Sequence, residues 1–123
     1  MDEMKIYIGH STGFDYKKEL YQPLKQSQLC EEHEITFPHD SRELFDSKEF
    51  LRKECDLFVA EVSHASTGLG IELGWADSFE IPIICICKSC AEPSSSIQAV
   101  TNEVERYENR KELVEIVEQA VER

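Results

Sequence analysis

The segment covering residues 56–76 contains the side chains best suited to chemistry. An apolar run ends in a turn rich in Ser, Thr and Gly, and a helix predicted from residue 68 to about 79 carries Glu72 in its first turn. Because the positive end of a helix stabilises an anion, we expect Glu72 to be ionised and able to act as a nucleophile or an electrostatic partner. A carboxylate nucleophile can displace a leaving group at an anomeric carbon through a covalent glycosyl intermediate. The alternative is a surface carboxylate that only complements the helix dipole.

The small residues before Glu72 suit an anion but match no dinucleotide fingerprint. Ser66 and Thr67 are placed to cap the helix or to donate hydrogen bonds to a phosphate. The glycines at 68, 70 and 74 are spaced G-x-G-x-x-x-G, whereas the fingerprint is G-x-G-x-x-G, and Leu73 occupies its third glycine site. No G-x-x-x-x-G-K-S/T motif is present. The pattern therefore disfavours a classical NAD site and excludes a P-loop NTPase.

Strands and helices alternate along the chain, which predicts an α/β fold with a parallel sheet. Predicted strands cover residues 5–9, 34–38, 56–62, 81–87 and 103–107, and predicted helices cover 15–29, 47–55, 68–79 and 111–123. We expect one domain over residues 1–123, a flavodoxin-like three-layer sandwich with about five parallel strands in the order 2-1-3-4-5. Glu72 then lies at the carboxyl edge of the sheet, where open α/β folds bind their ligands.

The charge of the chain restricts its partners. Its 123 residues include 13 Lys and Arg against 25 Asp and Glu, a formal net charge of −12. A field of this sign argues against nucleic acid, which needs basic patches, although a helix N-terminus can still hold a small anion locally. No window approaches the roughly 18 apolar residues of a membrane span. We therefore expect neither a nucleic-acid nor a membrane partner.

The cysteines and the start of the chain predict a cytoplasmic protein without a metal or another cofactor. No apolar signal-peptide core follows Met1, so the five cysteines are expected to be reduced thiols. Cys85, Cys87 and Cys90 lie close together, but no second Cys/His pair stands at zinc-ligand spacing.

Two stretches of the chain resemble a known enzyme family. The first is Asp56-Leu-Phe-Val-Ala-Glu-Val-Ser followed by Ser66-Thr-Gly-Leu-Gly-Ile-Glu72-Leu-Gly74-Trp-Ala, and the second is Tyr7-Ile-Gly-His-Ser11. Together they resemble the nucleoside 2-deoxyribosyltransferase family, and most closely its branch of 2'-deoxynucleoside 5'-monophosphate N-glycosidases.

The resemblance implies a role for each matching residue. Glu72 is the nucleophile at C1' of the sugar, Tyr7 orients it, and Ser66 contacts the 5'-phosphate with Gly68 beside it. It also implies a homodimer in which a serine from the second copy completes the phosphate site; Ser94, Ser95 and Ser96 lie in the matching loop, and ungapped spacing favours Ser96.

The residues at the end of the first strand are further substrate-binding candidates. They are Gly9, His10 and Ser11. His10 is suited to protonating a departing base or holding a phosphate, or else it is a loop histidine bonded to the backbone.

Two family features are absent at the expected positions. The family has an aspartate near the start of the helix before the third strand, where an ungapped match places Lys48. Asp46 or Glu49 replaces that aspartate only with a shift, and we select Asp46 as the third catalytic candidate. The monophosphate branch also has an arginine after its first strand, where this chain has Gly13.

The resemblance implies cleavage of an N-glycosidic bond, or base transfer, on a (deoxy)nucleoside 5'-monophosphate or a nucleoside, through a glycosyl-Glu72 intermediate. One alternative is a non-catalytic domain that binds or senses nucleotides. Another is a glycohydrolase that acts on a ribonucleotide or on NAD.

Overall fold

The computed structural model describes residues 3–41 and 45–122. In this part of the chain, five parallel strands form one sheet in the order β2-β1-β3-β4-β5, which confirms the predicted topology. The strands are β1 (Lys5–His10), β2 (Glu34–Thr36), β3 (Leu57–Glu61), β4 (Ile83–Lys88) and β5 (Val104–Tyr107).

Helices cover both faces of the sheet and complete the three layers of a flavodoxin-like fold. They are α1 (Gln22–Lys25), α2 (Leu29–Glu32), α3 (Ser47–Lys53), α4 (Thr67–Ser78) and α5 (Arg110–Glu122). Side chains alternate along each strand, so Ile6 and Ile8 pack towards α1, α2 and α5, while Tyr7 packs towards α3 and α4.

The first predicted helix, 15–29, is divided in the structure. A π-helical turn (Lys17–Tyr21) runs directly into α1, and the chain then breaks before α2. Pro23 has no N–H and its ring clashes with the carbonyl four residues earlier in a regular helix. The wider turn before it avoids that clash, because the Gln22 N–H bonds to the Lys17 carbonyl five residues back.

The other predicted elements are present, with ends displaced by one or two residues. The start of β4 shows why: Pro82 cannot donate to a neighbouring strand, so β4 begins at Ile83. The Pro82 carbonyl still accepts a hydrogen bond from the Phe58 N–H at 2.9 Å. Residue 123 of the last predicted helix lies outside the described residues.

The position of Glu72 in its helix was wrongly predicted. The helix α4 begins at Thr67 rather than at residue 68, and Ser66 is its N-cap, with Oγ accepting from the Leu69 N–H at 3.4 Å. Glu72 is therefore the sixth residue of α4 and lies in its second turn. Since the effect of the helix dipole falls off within the first turn, it does not explain how this carboxylate is held.

Membrane-spanning helices and metal-binding clusters are both absent from the described residues. None of the helices there combines the length and the apolar character needed to cross a membrane. No three His, Cys, Asp or Glu side chains there are grouped so that they could share a metal ion. Cys85 is buried within the sheet, and burial raises the pKa of its thiol to about 12.

Candidate active site

A cavity of about 810 Å³ lies beyond the carboxyl end of β1, between the first turns of α3 and α4. β2 lies on one side of β1 and β3 lies on the other, so the strand order reverses at β1. The cavity occupies this point. Six of the predicted site residues line it: Tyr7, His10, Asp46, Ser66, Gly68 and Glu72.

A chain of hydrogen bonds holds the Glu72 carboxylate. The Tyr7 hydroxyl donates to Glu72 Oε2 at 2.5 Å, and the Ser47 and Tyr7 hydroxyl oxygens are 2.7 Å apart. Because Tyr7 gives its one proton to Glu72, Ser47 must donate to Tyr7. Nothing in the sequence distinguished Ser47 from the other serines, because its role depends on a contact with a strand 40 residues away.

The environment of Tyr7 keeps it a hydrogen-bond donor. Its side chain is fully buried, and its ring centroid lies 5.2 Å from that of Phe58 and 5.9 Å from that of Phe50. Burial, and next the negative charge of Glu72, raise the pKa of Tyr7 well above its usual range. The hydroxyl therefore stays protonated at any physiological pH and has a fixed direction.

His10 is buried, and both of its ring nitrogens already have partners. Nδ1 lies 2.8 Å from the Ser11 carbonyl oxygen, which can only accept, so Nδ1 carries the proton. Nε2 accepts from the Tyr21 hydroxyl at 2.6 Å, and that hydroxyl oxygen accepts from the His39 N–H at 3.0 Å. Burial lowers the pKa of His10 to about 4. The proposed contact of His10 with substrate stays a prediction, and the neutral ring would have to exchange one of these partners.

We expect the neutral His10 to make stability depend on pH. Below about pH 6.5 His10 is protonated in the unfolded chain, whereas in the folded chain it stays neutral down to about pH 4. Protonation then favours unfolding, and about 2 kcal/mol of stability should be lost between pH 7 and 4.5. His10→Gln has no such group, so only the wild type loses this stability as the pH falls. The difference in unfolding free energy between wild type and variant should therefore narrow from about pH 7 to 4.5. Urea denaturation at a series of pH values measures it, and parallel curves would contradict the assignment.

The start of α3 presents Asp46 and Lys48 to the cavity. Asp46 is the N-cap of α3, and its Oδ1 accepts from the Glu49 N–H at 3.1 Å. The Glu49 carboxylate pairs with cations of its own helix and does not line the cavity. Lys48 does line it, with Nζ 5.6 Å from the centroid of the Trp75 ring. Of the two carboxylates considered as replacements for the family's aspartate, Asp46 is thus the one at the cavity.

Two predicted site residues at the end of β1 do not line the cavity. A Cβ atom on Gly9 would lie 2.5 Å from the Phe58 ring, so close packing explains glycine at this position. The Ser11 hydroxyl oxygen accepts from the Gly13 N–H at 3.0 Å and stabilises the turn after β1. A substrate contact for either residue stays a prediction.

Ser96 lies at a second cavity rather than at the first. This cavity, of about 390 Å³, is bounded by the start of α4 and by the 3-10 turn Ser95–Ala99. Ser66 lines both cavities, so the hydroxyl predicted to bind phosphate stands between them.

Glu61 is a buried carboxylate at the end of β3 whose partners are Tyr107 and Ser63. Its carboxylate is 1% exposed and accepts from the Tyr107 hydroxyl and from the Ser63 N–H, the latter at 2.6 Å. The Ser63 hydroxyl donates to Glu61 at 3.0 Å and accepts from the Lys88 N–H at 2.8 Å. This network fixes the turn that leads from β3 to Ser66.

Comparisons with known proteins rest on the fold. No protein-family model matches the chain, and no curated protein sequence does. The solved CMP N-glycosidase BcmB of Clostridium botulinum superposes with a TM-score of 0.66 at 22% identity, over 93% of this chain and 98% of that one. A 2-desoxiribosyltransferase from Leishmania mexicana gives a TM-score of 0.56 at 16% identity, over 70% of this chain and 65% of that one.

A conserved protein of Enterococcus faecalis V583 is also similar, with a TM-score of 0.53 at 18% identity over 94% of this chain and 88% of that one. At such identities the likeness shows a shared fold. The chain therefore has the fold of a solved CMP N-glycosidase and a solved 2-desoxiribosyltransferase, which is the fold that the resemblance of segment 56–76 implies.

Proposed function

We propose that the protein cleaves or transfers the N-glycosidic bond of a nucleoside 5'-monophosphate or a nucleoside, with Glu72 as nucleophile. The observation that carries this proposal is the Glu72 carboxylate in the main cavity, with Oε2 held by Tyr7 at 2.5 Å. That bond orients the carboxylate and leaves Oε1 to attack. The shared fold with an enzyme named for CMP N-glycoside cleavage adds support.

The reaction is a double displacement. Glu72 Oε1 bonds to C1', and the bond from C1' to the base nitrogen breaks with its electron pair moving to the base. The base leaves as an anion and later takes the proton that the attacking water loses. Water then attacks C1', the ester bond to Glu72 breaks, and the sugar and the free carboxylate are released; a second base in place of water gives transfer.

The start of α4 favours a substrate with a phosphate. Ser66 and Gly68 line the cavity where the first N–H groups of α4 point outwards, an arrangement that binds phosphate. Ser66→Asp keeps a good N-cap but adds a negative charge. We expect it to raise KM for a nucleoside 5'-monophosphate by roughly a hundredfold, since a lost charge-assisted hydrogen bond and a new repulsion act together. KM for the matching nucleoside should change little, and equal changes for the two substrates would argue against this phosphate site.

The decisive assay is release of free base from a panel of substrates. The panel contains ribo- and deoxyribonucleoside 5'-monophosphates, the corresponding nucleosides and NAD, and chromatography detects the base. If no substrate releases base while a nucleotide raises the melting temperature, the protein is a nucleotide-binding domain and the enzymatic proposal is wrong.

Tyr7→Phe should lower kcat about tenfold to a hundredfold, because the Glu72 carboxylate loses the donor that orients it. The ring and its packing are retained, so KM should change little. Ser47→Ala removes the next donor in the chain and should have a smaller effect in the same direction. An unchanged kcat in Tyr7→Phe would show that this hydrogen bond has no part in turnover.

We also propose a homodimer whose second copy supplies Ser96 to the phosphate site. Support comes from the exposure of Ile71, a large apolar residue at the main cavity. Sedimentation velocity under assay conditions tests it. An active monomer would contradict a site completed by a second copy.

A further inference from the structure

Lys48 is the one residue with a permanent positive charge among the described residues that line the main cavity. Its neighbours on α3 point elsewhere: Lys53 Nζ lies 2.6 Å and Arg52 Nη2 3.1 Å from the Glu49 carboxylate. None of the ion pairs found between described residues includes Lys48. Its ammonium group is therefore available to a ligand.

The order of residues along α4 places Lys48 at one particular end of the cavity. Its Nζ lies over the ring of Trp75, which is three residues after Glu72 and on the same side of the helix. Ser66 lies six residues before Glu72, in the opposite direction. With a rise of about 1.5 Å per residue, the phosphate end is about 9 Å before Glu72 and Trp75 about 4.5 Å beyond it. A nucleotide with its phosphate at Ser66 and C1' at Glu72 thus directs its base towards Lys48.

We propose that Lys48 contacts the base and assists its departure; this rests on the function proposed above. The ammonium donates a hydrogen bond to an oxygen adjacent to the glycosidic nitrogen. In a pyrimidine this oxygen is O2, on the carbon bonded to N1, whereas a purine presents only the ring nitrogens N3 and N7 at the same number of bonds from N9. Because an oxygen holds negative charge better than a ring nitrogen does, Lys48 assists the departure of a pyrimidine more than that of a purine.

The step balances without any further reactant. As C1' bonds to Glu72, the electron pair of the C1'–N1 bond moves to the base, and the charge spreads onto O2. Lys48 stabilises that charge electrostatically and keeps its own proton. Water later supplies hydroxide to C1' and a proton to the base.

Binding measurements separate a base contact from a phosphate contact. Calorimetry is done with Glu72→Gln protein, in which turnover is blocked, using CMP and ribose 5-phosphate as ligands. Adding Lys48→Met should weaken CMP binding about tenfold and leave ribose 5-phosphate binding within about twofold. Lys53→Met is the same change on the outer face of α3, and it should leave the binding of both ligands unaltered. Equal weakening for both ligands, no weakening for either, or no binding of CMP, UMP or dCMP at all would overturn the proposal.

Turnover measurements test the assistance itself. With a pyrimidine 5'-monophosphate, Lys48→Met should lower kcat roughly a hundredfold with a smaller change in KM, and Lys48→Arg should restore part of it. The leaving group of a 4-nitrophenyl riboside 5-phosphate is 4-nitrophenolate, which is stable without assistance. The same variant should therefore lose little activity on this substrate. Equal losses on the two substrates would overturn leaving-group assistance.

The two proposals fail in different ways. If wild-type protein releases no base while CMP binding still depends on Lys48, the glycosidase function is wrong and Lys48 remains the base contact. If base is released and Lys48→Met behaves as wild type, the function stands and the role of Lys48 is wrong.

Discussion

Glu72→Gln is expected to lower kcat by at least about a thousandfold, because an amide cannot form the glycosyl ester. The side chain keeps its shape, and its carbonyl oxygen can still accept from Tyr7, so the hydrogen-bonded chain through Ser47 remains. Glu72 lies beyond the first turn of α4, where the helix dipole contributes little. The free energy of unfolding should therefore change by less than about 1 kcal/mol.

The measurements are base release under saturating substrate, thermal denaturation, and mass spectrometry of quenched wild-type protein for a glycosyl adduct. Glu49→Gln is the matched control, since it neutralises a carboxylate that does not line the cavity, and it should keep nearly full activity. Glu72→Ala should lose turnover as completely as Glu72→Gln. A Glu72→Gln enzyme that keeps a tenth or more of the wild-type kcat would exclude Glu72 as the nucleophile.

Gly9→Ala is expected to destabilise the protein by about 1–3 kcal/mol, the cost of overpacking a core. The new Cβ would lie 2.5 and 2.6 Å from two ring carbons of Phe58 and 3.1 Å from a methyl group of Leu69. Phe58 is fully buried and cannot swing into solvent. Relief therefore requires the Phe58 ring to shift within the packed core, with a smaller adjustment of Leu69.

Urea denaturation measures this effect, and Phe58→Leu in the Gly9→Ala background should recover part of the loss by making room. Gly74→Ala is the control, because nothing lies within 4 Å of its added Cβ. Since Gly74 is inside α4, alanine there should stabilise the protein by about 0.5–1 kcal/mol. Equal stabilities of Gly9→Ala and wild type would contradict the packing explanation of Gly9.

The element types and strand order were predictable because they depend on local patterns. The apolar run before residue 62 identified β3 as a central strand, and its five residues are all buried. A disturbance of this helix by Pro23 was foreseeable from its missing N–H, but the π-helical turn before it was not, since several backbone adjustments relieve the same clash, and the break comes only after Lys25. The start of α4 differed by one residue, and Glu72, its sixth residue, lies in the second turn.

Segment 56–76 was sufficient to identify Glu72 and Ser66 as candidates, because nucleophile, turn and helix start are neighbours in the chain. What holds Glu72 could not be read there, since Tyr7 is 65 residues away and meets it only through the packing of β1 against α4. The same packing explains Gly9 by the Phe58 ring and brings Lys48 over Trp75. Local periodicity encodes which elements form, whereas hydrogen-bond partners and burial depend on which distant segments meet in the fold.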